Sequence, residues 1–327
     1  MTVRIGFIGV GGMAEHHIKT LQRIEHAEVT AVYDINQERS QEVAAAYGAK
    51  SFASSGQMFD SGEIDGVFIC TPPFARGDIE EQAARKGIHI LSEKPVGLNV
   101  ADARRKEQII RESGIIHTSG YCLRYLDTVA KAKAYLADKK IDLILSYRLG
   151  GLPGPRWWRM IEQSGGQLVE QSTHQMDLIR YLAGDVKEVS AIHEQRHLRN
   201  IDPEATAYDV GTVSFVMESG AIGNITSSCL ANYVGRGGIE FFGHDFYVMV
   251  DIPTLRIVDD HQDITEVSKM DFYYEQDKAF VEAIRNNDPT LLLADFSDAV
   301  DTLEVTLAAN DSAAVRQPVV LETGKER

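Results

Sequence analysis

A glycine-rich turn between a strand and a helix is the feature that most constrains the fold of this chain. Gly9-Val10-Gly11-Gly12-Met13-Ala14 follows an apolar strand pattern over residues 3–10 and opens an amphipathic helix. This G-x-G-x-x-A pattern is typical of a turn that binds the pyrophosphate of a dinucleotide, because its glycines permit a tight turn and a close backbone approach. The helix N-terminus adds oriented N–H groups. We therefore predict that Gly9, Gly11, Gly12 and Met13 contact a dinucleotide.

An acidic residue at the end of the predicted second strand indicates which dinucleotide binds. Asp34 follows Ala14 by 20 residues, where a carboxylate accepts hydrogen bonds from both hydroxyls of the adenine ribose. The same carboxylate would repel a 2′-phosphate, and no arginine follows it immediately, since Arg39 lies further on. The sequence predicts NAD as cofactor, with NADP as the less favoured alternative.

Residues 3–121 alternate strand and helix patterns with short connections, which is typical of a parallel sheet covered on both faces. The predicted strands are residues 3–10, 28–33, 49–52, 66–71, 89–92 and 115–120. Asn36 and Asn99 are predicted to cap helices that end at Gly48 and Gly114. Six strands joined by five crossovers predict an α/β domain, a doubly wound Rossmann domain over residues 1–121.

The pattern changes after Tyr121. Helices are predicted over residues 125–137, 173–183, 274–286 and 295–315, with a succession of strands before the last two. Val213, Phe215 and Met217 alternate before a Glu218-Ser219-Gly220 turn, which indicates a hairpin. Residues 122–327 therefore predict an α+β domain, a mainly antiparallel sheet with helices on one face.

Charge and cysteine content narrow the possible partners. The 33 basic and 48 acidic side chains leave a net charge of −15, which disfavours nucleic acid and anionic membranes as partners. No apolar run approaches the length of a membrane span, and the first residues form a strand pattern rather than a signal peptide. Cys70, Cys122 and Cys229 share no metal-ligand spacing, so we expect reduced thiols in a cytoplasmic protein.

Two predicted strands of the first domain end in a proline-containing turn. Cys70-Thr71-Pro72-Pro73 ends the fourth strand, and Ser92-Glu93-Lys94-Pro95 ends the fifth. Ligands of such sheets bind over the carboxyl ends of the strands, so we expect Thr71, Pro72, Glu93 and Lys94 beside the cofactor.

With these blocks the chain resembles the Gfo/Idh/MocA family of oxidoreductases, named for glucose–fructose oxidoreductase and inositol dehydrogenase. The resemblance rests on GVGGMA with Asp34, CTPP, SEKP and GGQLVEQSTHQMDLIRYLAG at residues 165–184, and GYCLRY at residues 120–125 is similar to the family's domain junction. It covers essentially the whole chain. It implies a C-terminal domain built on a large open sheet, whose exposed face often mediates dimers or tetramers.

The resemblance also implies roles for individual residues. Lys94 matches the lysine that contacts cofactor and substrate, and His174 matches the usual proton acceptor. Glu170 stands where inositol dehydrogenase-like members have an aspartate, which weakens the case for myo-inositol itself as substrate. Arg124, Trp158 and Arg159 match positions that lie near the nicotinamide or the substrate in many family members. Tyr233 is expected to reach the substrate.

These residues suit the oxidation of a secondary alcohol, which needs a hydride acceptor and a group that takes the hydroxyl proton. In a helix over residues 170–177, Glu170 would lie one turn before His174 and orient its imidazole. Lys94 would stabilise negative charge on the substrate oxygen. The predicted activity is a dehydrogenase that transfers hydride between a sugar, sugar derivative or inositol and NAD. An NAD-dependent glycosidase of the same superfamily and a non-enzymatic dinucleotide-binding regulator are the alternatives.

Two other patterns allow more than one interpretation. Trp157 and Trp158, beside Arg159, could stack on a polyhydroxylated ring or be buried. The segment His193-Glu194-Gln195-Arg196-His197 matches the H-E-x-x-H zinc signature, which requires a helix. Its flanking residues predict a strand, on which residues four apart are about 13 Å distant. We therefore predict no metal site.

Overall fold

The computed structural model describes residues 1–321. Its first elements are β1 Val3–Ile8, α1 Gly12–Leu21, β2 Ala27–Tyr33, α2 Gln37–Tyr47, β3 Lys50–Ser51, α3 Ser55–Asp60, β4 Gly66–Ile69, α4 Ile79–Arg85, β5 His89–Ser92, α5 Val100–Ser113, β6 His117–Ser119 and α6 Asp127–Leu136. There follow β7 Leu143–Leu149, α7 Ile161–Ser164, α8 Gln167–Glu170, α9 Thr173–Ala183, β8 Val186–Glu194, α10 Leu198–Ile201, β9 Val210–Met217, β10 Ile222–Ser228 and β11 Arg236–Phe242. The last are β12 Phe246–Asp251, β13 Thr254–Asp259, β14 Gln262–Val267, α11 Phe272–Asn286, α12 Phe296–Val315 and β15 Val319–Val320.

The described chain forms two compact units. The first comprises Met1–Tyr125 together with Asp271–Val300, and the second comprises Leu126–Met270 together with the C-terminal segment from Asp301. Helix α11 therefore belongs to the first unit although it lies far along the chain. Its buried residues Phe280, Val281 and Ala283 join the core formed around β1 and α1. The division into functional domains at residues 121 and 122 stays a prediction.

The first unit is a six-stranded parallel sheet in the order β3-β2-β1-β4-β5-β6. This is the strand order of a complete doubly wound domain, so the predicted Rossmann fold is confirmed. The side chain of Asn36 accepts a hydrogen bond from the Arg39 amide, and that of Asn99 accepts one from the Asp102 amide. Gly48 and Gly114 end these helices in the left-handed conformation, as the sequence predicts.

The second unit is built on a nine-stranded sheet in the order β14-β13-β12-β11-β7-β10-β9-β8-β15. All neighbours run antiparallel except β7 and β10, which are parallel. The predicted α+β architecture with a mainly antiparallel open sheet is thus confirmed. The predicted hairpin is also present: β9 and β10 pair through Val216 and Ile222, and Gly220 lies in the turn at φ +87°.

The helices α6, α8 and α9 pack on one face of this sheet. Along β9 the residues alternate as expected, with Val213, Phe215 and Met217 buried. On the opposite face, Leu145, Ile192 and Ile222 are exposed apolar residues of β7, β8 and β10. We call this surface the open face of the sheet.

The helix predicted over residues 173–183 is confirmed as α9, but the helical entry over residues 170–177 that would place Glu170 and His174 on one face is interrupted. Helix α8 ends at Glu170, and α9 begins at Thr173. Gln171 and Ser172 both donate their amides to the Gln167 carbonyl, so the chain closes one helical turn before a new one starts. Glu170 and His174 therefore lie on separate helical segments.

Candidate active site

The glycine-rich turn has the geometry that the dinucleotide motif requires. Gly9 lies at φ +79°, and a Cβ there would come within 2.9 Å of the Thr71 methyl carbon and 3.0 Å of the Thr71 amide nitrogen. Gly11 and Gly12 are exposed, and a Cβ on either would meet no protein atom within 4 Å. Packing within the protein thus explains glycine at position 9 only. At positions 11 and 12, glycine leaves the backbone open to a bound pyrophosphate at the N-terminus of α1.

Gly9→Ala should destabilise the protein by about 2 kcal/mol or more. The left-handed conformation costs a non-glycine residue about 1–2 kcal/mol, and the contact with Thr71 adds to this cost. Gly12→Ala is the matched control, because its Cβ would enter open space. Thermal unfolding of both variants checks this. Equal melting temperatures for both would contradict it.

Asp34 follows β2 and contacts the glycine-rich turn directly. Its carboxylate accepts hydrogen bonds from the Val10 amide, at 2.8 Å, and from the Asn36 amide, at 2.8 Å. The carboxylate therefore ties the end of β2 to the turn that follows β1. The contact of Asp34 with the adenine ribose stays a prediction.

Arg39, the arginine nearest to Asp34 in the sequence, is paired with two acidic residues. Arg39 forms ion pairs with Glu15 of α1 and with Glu42 one turn further along α2. Both acids raise the pKa of the Arg39 guanidinium through hydrogen bonds. Arg39 therefore has two carboxylate partners within the protein, which makes it a poor partner for a 2′-phosphate.

A buried polar cluster fixes the carboxyl ends of β4 and β5. The Arg76 guanidinium donates to the Thr71 carbonyl at 3.3 Å and to the Ser92 hydroxyl at 2.8 Å. Glu80 accepts from Ser92 at 3.1 Å and from Lys106 at 3.2 Å. Arg76, Glu80, Ser92 and Lys106 are all at most 2% exposed. The two turns where cofactor residues are predicted are thus held rigidly.

Glu93 and Lys94 follow β5 and differ in burial. Lys94 is half-buried and precedes a cis peptide bond to Pro95. Glu93 is buried, and one of its carboxylate oxygens accepts from the Lys94 amide at 3.1 Å. A Cβ at Gly120 would lie 2.7 Å from a carboxylate oxygen of Glu93, so any larger residue at position 120 would displace this carboxylate.

Pro72 and Arg124 complete the predicted residues of the first unit. Pro72 is half-buried and precedes a single 3-10 turn at Pro73–Ala75. Arg124 is 2% exposed, and its guanidinium donates to the Leu293 carbonyl at 2.6 Å and to Asp298 at 2.9 Å. Arg124 thus anchors the segment after α11 within the first unit.

In the second unit, Glu170 has a partner that the sequence did not suggest. The indole N–H of Trp158 donates to the Glu170 carboxylate at 2.7 Å. Trp158 is 1% exposed, so it is buried and presents no open stacking surface. Arg159 instead pairs with Asp202 at 3.3 Å. The sequence gives little indication of this contact, because Trp158 and Glu170 lie 12 positions apart in an irregular stretch of chain.

His174 is half-buried in the first turn of α9, among residues that are otherwise mostly buried. The two glycines before this segment are required by geometry, because Gly165 and Gly166 have φ of +74° and +86°. A Cβ at Gly166 would clash with the Tyr208 ring at 2.6 Å. Further along α9, Arg180 pairs with Asp185 at 2.7 Å and with Asp301 at 3.1 Å.

Tyr233 lies between β10 and β11, and its side chain is fully exposed. Lys94 belongs to the first unit and His174, Glu170 and Tyr233 to the second. The assignment of these residues to one site therefore stays a prediction.

The H-E-x-x-H segment does not have the geometry of a zinc helix. His193 and Glu194 lie on β8, as predicted, and His197 follows the strand. The His193 ring stacks on Tyr208 at 3.9 Å, and burial lowers the pKa of His193 to about 4. Within residues 1–321, no group of three or more His, Cys, Asp or Glu side chains is arranged to hold a metal ion.

The sequence analysis does not identify His17 and Asp277. In the structure His17 contacts both Glu93 and Asp277. His17 lies on the same face of α1 as Ala14 and Ile18, and Asp277 lies one turn before Phe280 on α11. A polar residue on the buried face of an amphipathic helix is the signal that could have found each of them. Their pairing could not be predicted, because they are 260 residues apart.

Two models of protein families match this chain, one in each half. Residues 3–121 match the oxidoreductase family with an NAD-binding Rossmann fold, and residues 130–246 match the GFO/IDH/MocA C-terminal domain. Among the described residues, no helix is both long and apolar enough to cross a membrane.

Two relatives are similar to this chain over nearly its full length. The chain is 25% identical to a myo-inositol 2-dehydrogenase of Thermotoga maritima, covering 98% of this chain and 99% of the relative. It is 27% identical to a scyllo-inositol 2-dehydrogenase (NAD(+)) of Bacillus subtilis, covering 98% and 96%.

Solved structures share the fold. A levoglucosan dehydrogenase in complex with NADH and L-sorbose has a TM-score of 0.88 at 18% identity, covering 98% of this chain and 100% of that one. The WlbA dehydrogenase of Bordetella pertussis, in complex with NADH and UDP-GlcNAcA, has a TM-score of 0.84 at 23% identity, covering 99% and 100%. Together with the strand order, the glycine-rich turn and Asp34, these matches establish that the chain is an NAD-binding oxidoreductase of the Gfo/Idh/MocA family.

Proposed function

We propose that the chain is a dehydrogenase that oxidises a secondary alcohol of a sugar, sugar derivative or inositol with NAD as the oxidant. The strongest support is that one chain combines a turn open to a pyrophosphate with a lysine after β5 and a half-buried histidine opening α9. The full-length relatives named as inositol dehydrogenases support the class of substrate.

His174 is the proposed proton acceptor. Histidine is the side chain most easily tuned to exchange a proton near neutral pH. Lys94 is proposed to donate a hydrogen bond to the reacting oxygen and to stabilise its negative charge. Glu170 is held by the Trp158 indole N–H, so we propose that it fixes a substrate hydroxyl and orients the site.

The cofactor is held by the first unit. When bound, NAD supplies the hydride acceptor of the reaction. We propose that Gly9, Gly11, Gly12 and Met13 contact the pyrophosphate and that Asp34 binds the adenine ribose. Thr71, Pro72, Glu93 and Lys94 line the carboxyl edge beside it, and contacts from Arg159 and Tyr233 to cofactor or substrate are part of the same proposal. The buried Arg124 and Trp158 act in this proposal by holding Asp298 and Glu170.

Asp34→Ser should lower the preference for NAD over NADP by at least about tenfold. The substitution removes the carboxylate that binds the ribose hydroxyls and repels a 2′-phosphate. Dissociation constants of both cofactors, measured by calorimetry, check the result. Glu38→Ser is the control, because Glu38 is an exposed acid of α2. If the ratio of the NAD and NADP dissociation constants were the same in Asp34→Ser as in wild type, the role of Asp34 in binding the adenine ribose would be contradicted.

The substrate class is tested with a panel of myo-inositol, scyllo-inositol, levoglucosan and common aldoses, each with NAD and with NADP. We expect one or more of these compounds to support NADH formation. Release of a sugar without net NADH would favour the glycosidase. Firm NAD binding without redox change in either direction would favour the dinucleotide-binding regulator.

We infer further that the chain forms a homo-oligomer through the open face of the sheet. Leu145, Ile192 and Ile222 are exposed on this one face, and exposed apolar side chains gain free energy when a partner covers them. Light scattering should give the mass of a dimer or tetramer, and a single-chain mass would contradict this.

The cytoplasmic location of the protein stays a prediction. Cys70, Cys122 and Cys229 are free thiols.

A further inference from the structure

A histidine is completely buried between two carboxylates in the first unit. His17, on α1, is 0% exposed. Its Nδ1 lies 2.8 Å and 3.0 Å from the two carboxylate oxygens of Asp277 on α11, which is also 0% exposed. Its Nε2 lies 3.2 Å from one carboxylate oxygen of Glu93. Both ring nitrogens therefore face an acceptor, which only the protonated imidazole satisfies on both sides.

Charge and packing around the ring agree with this protonated form. Burial alone would lower the pKa of His17, but the charges and hydrogen bonds of Asp277 and Glu93 outweigh it and raise the pKa to about 10. The ring also packs against Phe68 and Tyr273, at 5.1 Å and 5.7 Å between ring centroids.

Two ionisable groups beside this cluster, Cys122 and Tyr273, are uncharged. Burial raises the pKa values of the Cys122 thiol and the Tyr273 hydroxyl, so both are neutral at physiological pH. Burial also raises the pKa of Asp277, because the His17 charge offsets only part of its lost hydration.

Glu93 connects the histidine to the lysine assigned to catalysis. One Glu93 carboxylate oxygen faces His17 Nε2, and the other accepts the backbone amide of Lys94 at 3.1 Å. The carboxylate lies beside Gly120, and a Cβ at that position would displace it. A rotation of the Glu93 side chain would break both contacts at once. The conformation of the Glu93–Lys94 turn is therefore coupled to His17 and, through it, to α11.

We propose that His17, held between Glu93 and Asp277, is a positioning residue that fixes the Glu93–Lys94 turn and thereby the Lys94 side chain for the reaction. The inference rests on the role given to Lys94 under the proposed function. His17 itself touches neither substrate nor cofactor in this account. Binding of the adenine and pyrophosphate moieties depends on other residues, so His17 acts on turnover rather than on cofactor affinity.

Two substitutions at His17 separate the contact with Glu93 from general loss of packing. His17→Asn retains a donor near the Nδ1 position, toward Asp277, and loses the one toward Glu93. His17→Gln retains a donor near the Nε2 position, toward Glu93. Both remove the buried charge. Asp209→Asn, in the second unit, is the control for destabilisation, because Asp209 is 0% exposed and its carboxylate accepts the amides of residues 196–198.

The first readout is hydrogen–deuterium exchange of the full-length protein without substrate. His17→Asn should speed exchange of residues 93–100 relative to wild type, whereas His17→Gln and Asp209→Asn should leave that segment unchanged. Equal exchange of residues 93–100 in all four proteins would overturn the proposal.

The second readout is a double-mutant cycle with Lys94→Ala, using whichever compound of the panel gives the fastest NADH formation. His17→Asn should lower kcat by about 10- to 100-fold in the wild-type background, because it misplaces the Lys94 side chain. In the Lys94→Ala background the same substitution should lower kcat by less than about twofold, because the side chain that it would misplace is already absent. The dissociation constant of NADH should change by less than about threefold. If neither His17 variant folds, Asp277→Asn takes their place in the same cycle and the same exchange measurement.

The possible failures are distinguishable. A Lys94→Ala enzyme as active as wild type, or a panel on which the wild type is silent, contradicts the proposed function. An impaired Lys94→Ala enzyme in which His17→Asn costs the same factor as in wild type contradicts only the positioning role of His17.

Discussion

Replacement of His174 by alanine should lower kcat by about 10²- to 10⁴-fold, the range expected when a general base is removed. The dissociation constant of NADH should change by less than about threefold, because the predicted cofactor contacts lie mostly in the first unit, around the glycine-rich turn and Asp34. Steady-state kinetics with the best panel compound and NADH fluorescence titration measure the two quantities.

The control for this variant is a histidine of the same unit without an assigned role. His197 is exposed, and its backbone amide is held by Asp209, so His197→Ala should leave kcat, KM and stability unchanged. A His174→Ala enzyme that keeps at least half of the wild-type kcat would remove His174 from the reaction. Loss of both kcat and NADH binding would instead indicate a structural role.

Replacement of Lys94 by alanine should lower kcat by about 10²- to 10³-fold, the loss typical when one group that stabilises a developing negative charge is removed. Lys94→Arg should not restore the rate, because a planar guanidinium cannot occupy the position of a compact ammonium group. Lys86→Ala is the matched control: Lys86 is an exposed lysine of the same unit, paired with Asp60.

The pattern across kcat and KM decides what Lys94 does. A higher KM with unchanged kcat would mean that Lys94 binds substrate and transition state equally. A fall in kcat, with or without a higher KM, is the expected result. An unchanged kcat/KM would contradict any role of Lys94 in the site.

The first unit could be predicted because its signals are local. Asn36 and Gly48, or Asn99 and Gly114, bound a helix within a single stretch of chain, and the same turn chemistry recurs in the structure. The positions of Gly9 and Asp34 followed from the strand–turn–helix pattern for the same reason. Helix α11 could not be assigned to this unit in advance, because amphipathicity shows that a helix packs on something without identifying the partner.

The details of the site depended on contacts that periodicity does not encode. Spacing of four residues between Glu170 and His174 suggested one helix face, but the Gln167 carbonyl accepts the amides of residues 171 and 172 and ends the turn. Trp158 then holds Glu170. The His17–Asp277 contact joins residues 260 positions apart, and only the folded core brings them together. The H-E-x-x-H segment illustrates the reverse case, in which a motif matched but its required helix was absent from residues 193–197.

The most direct test of the proposed dehydrogenase activity is the ratio of NADH formed to alcohol oxidised by the wild-type protein, measured on the panel compound that reacts fastest. We expect one NADH and one keto product for each alcohol consumed, and the reverse reaction when the keto compound and NADH are added. Turnover of a sugar without net NADH, or tight NAD binding with no redox change on any inositol, levoglucosan or aldose, would contradict the assignment as a sugar or polyol dehydrogenase.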